Sequence, residues 1–215
     1  MSKPMLVFDM DGVLVEVKES YRESIRATVL HFTGRSVEHS LIQYYKNQGG
    51  WNNDWKLSRE LCSVYGKEIA FETVVEVFNQ YFLGHNGVPG LIEREQWIDT
   101  TDVLTRLNER YDFAIFTGRL HEEAQITLRR FAKHLNWLSV IGDDNVTHSK
   151  PNPEGLLKLM ADHNVVYYLG DTVDDAKASK AAKIPFIAIT APGGNFAAFS
   201  PVHFIDTVNR LETVL

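Results

Sequence analysis

The sequence predicts an α/β fold in which a doubly wound parallel sheet forms the core and an all-helical domain is inserted after the first strand. Short apolar runs alternate with helical patterns over the second half of the chain. Such uninterrupted runs are typical of strands that are buried on both faces of a parallel sheet. Between the first run and the second, by contrast, only helical patterns occur. The alternation predicts the sheet, and its interruption predicts the inserted domain.

Five apolar runs are predicted to be the strands of the core. Each is rich in Val, Ile, Phe or Tyr, and each ends in polar or glycine-containing sequence. The predicted strands are Met5–Phe8, Phe113–Phe116, Leu138–Ile141, Val165–Leu169 and Phe186–Ile189.

Helical patterns separate these later strands. Thr101–Arg110 and His121–His134 carry apolar residues at helical spacing, and a third helix is predicted to open at Asn152. Asn152 is predicted to be its N-cap, with Pro153 in the first turn, where a missing N–H is tolerated.

The inserted region has no convincing strand. It is predicted to form a separate helical domain over residues 15–87, with the core made of residues 1–14 and 88–215. Glycines and a proline cluster where the chain returns to the core, as expected of a hinge: Gly84, Gly87, Pro89 and Gly90. The four helical patterns are Lys18–Phe32, Val37–Asn47, Asn53–Tyr65 and Phe71–Phe82.

The composition is that of an ordinary globular protein. The 215 residues are 44% hydrophobic and 23% charged, and the net charge of −6 argues against a nucleic-acid surface. No apolar run approaches the ~20 residues of a membrane span, so we expect a cytoplasmic protein. Cys62 is the only cysteine, and no two histidines are three or four residues apart, which argues against a zinc site.

The first predicted strand ends in two aspartates, Asp9 and Asp11, which Gly12 follows directly. A calcium loop needs a preceding helix and a further ligand before its glycine, so calcium fits poorly. Two neighbouring carboxylates do suit a nucleophile, Asp9, and a general acid/base, Asp11. An acidic turn after a strand is the alternative.

Two further motifs could bind an anion. Thr117 and Gly118 follow the second predicted strand, where a hydroxyl and backbone N–H groups at the start of a helix make an anion site. Lys150 lies in a proline-flanked turn and could place its ammonium on a phosphoryl oxygen. A simple turn and a surface lysine are the alternatives.

A second acidic pair follows the fourth predicted strand. Asp171 stands at the strand tip, and Asp175 follows one helical turn later, so both can point at one cation. Magnesium prefers one or two carboxylates together with water and a substrate phosphate. Capping of the next helix by the same acids is the alternative.

The order of these motifs resembles the signature of the haloacid dehalogenase superfamily along nearly the whole chain. The segment 9–14 is similar to the first family motif, Thr117 to the second, Lys150 to the third, and Asp171 with Asp175 to the fourth. The insertion resembles the helical cap of the phosphoglycolate-phosphatase-like branch, subfamily IA. The resemblance implies a Rossmann-like core with a helical cap.

The resemblance also implies a magnesium-dependent phosphatase for a small phosphorylated metabolite. Asp9 would attack phosphorus to form an aspartyl-phosphate, and Asp11 would protonate the leaving group and then activate water. Dehalogenases of this superfamily typically lack the second aspartate, so Asp11 argues for phosphate esters. The implied metal ligands are Asp9, the backbone carbonyl of Asp11, and Asp171, with Asp175 acting directly or through water; the implied phosphate ligands are Thr117, Gly118 and Lys150.

The substrate-selecting residues are predicted in the inserted domain and beside the phosphate site. Asn52 and Asn53, in the loop 49–55, could bond substrate hydroxyl or amine groups, or one of them could cap a helix. Arg119 could reach a second acidic group of the substrate, or it could form a structural salt bridge. We expect a monomer or a homodimer.

Three other functions stay open. A phosphomutase would share Asp9 and Asp11 but return the phosphoryl group to a sugar phosphate. A phosphonate hydrolase would need a cap lysine that forms a Schiff base, for which Lys18, Lys46 and Lys56 are available. A non-catalytic binding module would be expected to have lost a motif residue, whereas this chain retains all of them.

Overall fold

The computed structural model describes residues 3–51, 53–190 and 196–215. The chain divides into two compact units, one made of residues 1–15 and 97–215 and the other of residues 16–96. The return to the first unit lies later in the chain than the boundary that the sequence suggests after residue 87. Within the described ranges, no helix combines the length and the apolar character that a membrane span requires.

Within the described residues, six parallel strands form the sheet of the first unit. They are β1 (Met5–Phe8), β2 (Asp112–Phe116), β3 (Trp137–Ile141), β4 (Val165–Gly170), β5 (Phe186–Ile189) and β6 (His203–Ile205). Their spatial order is β6-β5-β4-β1-β2-β3. The predicted doubly wound α/β core is therefore confirmed.

The sixth strand, β6, was not predicted from the sequence. It has three residues at the edge of the sheet, and Phe204 at its centre is exposed. An edge strand is buried on fewer sides than a central one, so it lacks the uninterrupted apolar run that identified the other five.

The described part of the second unit contains four α-helices, as the helical patterns predict. They are α1 (Glu23–Thr33), α2 (His39–Gln48), α3 (Asp54–Val64) and α4 (Phe71–Leu83), and a π-helical segment, Lys18–Arg22, precedes α1.

Four two-residue strands were also missed. Gly84–His85 pairs antiparallel with Val88–Pro89, and Val15–Glu16 pairs with Gln96–Trp97. Asn86 and Gly87 both have positive φ, which is the conformation of a tight hairpin turn. Of the residues interpreted as a hinge, Gly84, Gly87 and Pro89 thus lie in a hairpin, and Gly90 directly follows it.

Four further helices belong to the first unit: α5 (Val103–Asn108), α6 (His121–Phe131), α7 (Glu154–Asp162) and α8 (Val173–Ala182). The start of α5 is later than predicted, and the Asp99 carboxylate accepts the N–H groups of Val103 and Leu104 there. The N-cap of α7 is Pro153 and not the predicted Asn152, because the helix begins one residue later, at Glu154. The Asn152 side chain still accepts the N–H of Glu154 at 3.0 Å.

Helix α7 packs closely on the strand that leads to the predicted phosphate site. Gly155 of α7 and Phe116, the last residue of β2, are both buried, and a Cβ added at Gly155 would overlap the Phe116 ring. A glycine inside a helix is otherwise unfavourable, so this close approach explains its presence.

Replacing Gly155 by alanine should therefore destabilise the protein although alanine is the better helix former. Overpacking a buried site costs about 1–3 kcal/mol. We expect Gly155→Ala to lower the midpoint of thermal unfolding, whereas Leu157→Ala, on an exposed position of the same helix, should change it little. An unchanged or higher midpoint for Gly155→Ala would contradict this packing.

Candidate active site

The motif residues meet at one edge of the sheet because three neighbouring strands end there. Asp9 follows β1, Thr117 follows β2, and Asp171 follows β4, and β1 pairs in parallel with both of the others. The carboxyl ends of parallel strands form the usual ligand-binding edge of an open α/β sheet. Lys150 reaches the same edge from the segment before α7.

The Lys150 ammonium is the centre of this site. It is buried and donates to Asp9 Oδ1 at 2.7 Å and to Asp175 Oδ1 at 2.6 Å. Two further oxygens lie within reach, the Tyr168 hydroxyl at 3.3 Å and the Phe116 carbonyl at 3.5 Å. The alternative of a surface lysine is therefore wrong.

Both oxygens of Asp175 accept hydrogen bonds from protein groups. Oδ1 accepts from Lys150 and from the Tyr168 hydroxyl at 2.7 Å. Oδ2 accepts from the N–H of Thr172 at 3.0 Å and from its hydroxyl at 2.5 Å. The Thr172 hydroxyl in turn accepts the N–H of Asp175 at 3.2 Å, which forms a capping box at the start of α8. Asp175 thus caps the helix and fixes the ammonium.

Asp171 has a different environment. Its Oδ1 is buried and has no hydrogen-bond partner within the described part of the chain. The backbone of Gly12 approaches so closely that an added Cβ would overlap the Asp171 carboxylate, and the φ of Gly12 is +75°. Only glycine allows both this conformation and this approach. A buried carboxylate oxygen without a donor is unfavourable unless a cation binds it.

The three carboxylates of Asp9, Asp171 and Asp175 fit a metal ion. Each offers an oxygen that lies within 4.8 Å of the others. One ammonium cannot neutralise three ionised carboxylates, and oxygen ligands of this kind suit hard divalent cations. The donor set and the unpartnered Asp171 oxygen therefore agree with the metal site that the sequence predicts.

The electrostatics of the cluster show the same excess of negative charge. Burial, opposed by Lys150 and reinforced by the other carboxylates, raises the pKa of Asp9 to about 7. Burial and the Asp9 and Asp175 carboxylates raise the pKa of Asp171 well above its usual value. Burial would lower the pKa of Lys150, but Asp175 and Asp9 outweigh it and raise that pKa. Burial is thus the main cause of the raised pKa of Asp9, whereas the neighbouring carboxylates are the cause of the raised pKa of Lys150.

Thr117 lies beside this cluster and is buried. Its N–H donates to the carbonyl of Ile141 in β3, and its hydroxyl oxygen accepts the N–H of Arg119 at 3.3 Å. The hydroxyl keeps its own hydrogen to donate. Gly118 stands between Thr117 and Arg119 at the turn that leads to α6.

Arg119 forms the salt bridge that the sequence offered as one alternative. Its Nε and Nη2 atoms both contact Asp11 Oδ1 at 2.6 Å, and its Nη1 donates to the Thr127 hydroxyl at 2.8 Å. The side chain is fully buried. A guanidinium committed to Asp11 and Thr127 does not support the other alternative, contact with a second acidic group of the substrate.

In the second unit, the two amides predicted to select the substrate have separate outcomes. Asn53 is the N-cap of α3, and its side chain accepts the N–H of Lys56 at 2.9 Å. Asn52 lies outside the described residues. Their contact with a substrate stays a prediction.

A family model for haloacid dehalogenase-like hydrolases matches residues 6–189, which include all of the motif residues described above. The chain belongs to the haloacid dehalogenase-like hydrolase family. The resemblance inferred from the four motifs is therefore confirmed.

Relatives of this haloacid dehalogenase-like hydrolase carry several different names. An imidazoleglycerol-phosphate dehydratase of Phytophthora nicotianae is 32% identical over 198 residues, which are 87% of this chain but 43% of that protein. A phosphoglycolate phosphatase of Colwellia psychrerythraea is 26% identical over 97% of this chain and 95% of its own length. A crystal structure of a predicted phosphoglycolate phosphatase from Haemophilus somnus has a TM-score of 0.81 at 17% identity, over 99% of this chain and 97% of that one.

The sequence reasoning missed two hydroxyl groups of this hydrolase. Tyr168 lies in β4, three residues before Asp171, and Thr127 lies in α6, two turns after Arg119. Each of these residues has apolar neighbours in the sequence of its strand or helix. The hydrophobic pattern therefore does not distinguish them from residues of the core. Their partners, Asp175 and Arg119, become neighbours only in the folded unit.

Removing the Tyr168 hydroxyl should impair catalysis by releasing Lys150 and Asp175. A hydrogen bond to a charged group contributes about 1.5–3 kcal/mol, so we expect Tyr168→Phe to lower kcat about tenfold or more. Tyr167→Phe, at the neighbouring partly buried position, is the matched control. Steady-state kinetics give kcat and KM separately, and an unchanged kcat in a folded Tyr168→Phe variant would contradict this role.

Proposed function

We propose that this protein is a magnesium-dependent phosphatase that hydrolyses a small phosphorylated metabolite through an aspartyl-phosphate on Asp9. The observation that carries the proposal is the buried Asp9 carboxylate, held by Lys150 beside Asp171 at the carboxyl edge of the sheet. A fixed carboxylate next to an ammonium and a hydroxyl is an arrangement suited to attack on phosphorus.

Asp9, Asp171 and the backbone carbonyl of Asp11 are the proposed ligands of Mg²⁺. The four protein donors around Asp175 support an indirect role for it, through Lys150 or water, rather than direct coordination. Bound magnesium would supply positive charge that holds the carboxylates ionised and offsets the charge of the phosphoryl oxygens.

The side chains of the site would then divide the reaction among them. Asp9 attacks phosphorus in line while Asp11 protonates the departing oxygen, and Asp11 next takes a proton from the water that hydrolyses the intermediate. Lys150, the Thr117 hydroxyl and the Gly118 amide would bind the non-bridging oxygens. Because phosphoryl transfer depends mainly on positioning and electrostatics, this fixed set of donors is the main contribution of the chain.

The printed names of the relatives suggest which esters to try first. Phosphoglycolate is the substrate class named for relatives that match over nearly their whole length. The dehydratase relative is named for an imidazole-bearing phosphate, although this chain spans less than half of it. Both are small phosphorylated compounds, in agreement with the predicted partner. The residues of the second unit, including Asn53, would act as a cap that selects among them. A cytoplasmic monomer or homodimer remains our expectation.

The test is phosphate release from a panel that contains phosphoglycolate, imidazoleglycerol phosphate and sugar phosphates, with magnesium present. Asp9→Asn should lower kcat by about three orders of magnitude or more because it removes the nucleophile. EDTA should abolish release. Asp162→Asn, on an exposed carboxylate at the end of α7, is the matched control and should keep full activity.

Other outcomes distinguish the competing functions. Transfer of the phosphoryl group to a sugar phosphate, without release to water, would support a phosphomutase. No turnover of any ester by folded, magnesium-loaded protein would contradict the proposal. Unchanged release by Asp9→Asn would exclude Asp9 as the nucleophile.

A further inference from the structure

Asp11 and Asp9 are held by different cations, although they are only two residues apart. Asp9 contacts Lys150, whereas Asp11 contacts Arg119, whose side chain is fully buried. The Asp11 side chain is 32% exposed. One carboxyl group of the pair is thus enclosed, and the other is held by Arg119 but remains partly exposed.

The contacts of Arg119 with Asp11 are one-sided. Nε and Nη2 both converge on Asp11 Oδ1 at 2.6 Å, so within the described residues the guanidinium holds this carboxyl group through a single oxygen. In a bidentate pair the guanidinium would bind both oxygens of the carboxylate. Convergence on one oxygen fixes the rotation of the carboxyl group and leaves the other oxygen for a different partner.

Arg119 is itself anchored. Its Nη1 donates to Thr127 Oγ1 at 2.8 Å, and Thr127 is buried in α6. A side chain as long as arginine has much rotamer freedom to lose, so a second contact at its tip keeps it in one position. The chain Thr127–Arg119–Asp11 therefore links α6 to the turn after β1.

We propose that Arg119 is a positioning residue that aims Asp11 Oδ2 at the leaving group of the substrate. The inference rests on the proposed phosphatase function. In the first step the Asp9 oxygen bonds to phosphorus, the bond from phosphorus to the ester oxygen breaks, and the proton on Oδ2 passes to that oxygen. Asp11 is then a carboxylate paired with Arg119. In the second step the water oxygen bonds to phosphorus, the bond from phosphorus to the Asp9 oxygen breaks, and the proton of the water passes to Asp11.

The leaving group decides how much this positioning matters. An alkyl phosphate releases an alkoxide, which must be protonated as it departs, whereas p-nitrophenyl phosphate releases an acidic phenol that departs without help. The value of kcat/KM reports the steps up to this departure. A role of Arg119 in folding or in phosphate binding would affect both esters equally.

The experiment compares glycerol phosphate with p-nitrophenyl phosphate in the full chain with magnesium. General acid catalysis contributes about 10²–10⁴-fold, so Arg119→Met should lower kcat/KM for glycerol phosphate about 100-fold and for p-nitrophenyl phosphate less than about threefold. Arg119→Lys should restore part of the loss. Asp11→Asn should show the same selective loss, and the double variant Asp11→Asn with Arg119→Met should lose no more than Asp11→Asn alone.

Three results would overturn the inference. One is an equal loss for both esters, and another is an additive loss in the double variant. If Arg119→Met fails to fold, Thr127→Val replaces it in the test. Thr127→Val should lower kcat/KM for glycerol phosphate more than for p-nitrophenyl phosphate, by a smaller factor than Arg119→Met would. An equal loss for both esters would exclude the proposal. Hydrolysis by the unaltered chain of neither these two esters nor any ester of the panel above would instead reject the phosphatase function, and this inference with it.

Discussion

The buried ammonium of Lys150 is the interaction on which the site depends. It joins Asp9, at the end of the central strand β1, to Asp175 in the first turn of α8, and it lies against the carbonyl that ends β2. A buried charge is tolerated only when it is paired and hydrogen-bonded. Removing Lys150 would therefore leave several buried carboxylates without their cation. The ammonium that orients the site residues thus also joins β1, β2 and α8.

The carboxylates around this ammonium have distinct surroundings, and their proposed roles follow from those surroundings. Asp175 is saturated by protein donors, Asp171 has a buried oxygen without a partner in the described residues, and Asp9 contacts Lys150 beside them. Asp11 lies apart, paired with Arg119 and partly exposed. We therefore base the proposed roles of structural carboxylate, metal ligand, nucleophile and proton carrier on local contacts rather than on residue type.

Much of the fold and site could be predicted from the sequence because the signals are local. Buried parallel strands are continuous apolar runs, and β1 and β5 have the predicted bounds. The edge strand β6 has no such run, and the two-residue strands are too short for any periodicity. The four motifs mark strand ends, whereas Tyr168 and Thr127 were missed because their role depends on contacts between elements distant in sequence. For Arg119 the sequence offered a structural salt bridge and a substrate contact as alternatives, and Asp11 as the partner in the salt bridge is known only from the folded geometry.

The central claim is that Asp9 becomes phosphorylated during turnover. The direct measurement is acid quenching of the enzyme during hydrolysis of a good substrate, followed by borohydride reduction and mass spectrometry of the peptide that contains Asp9. Reduction converts an aspartyl-phosphate into homoserine, and we predict homoserine at position 9, absent without substrate. Unmodified Asp9 in protein that is turning over would contradict the account.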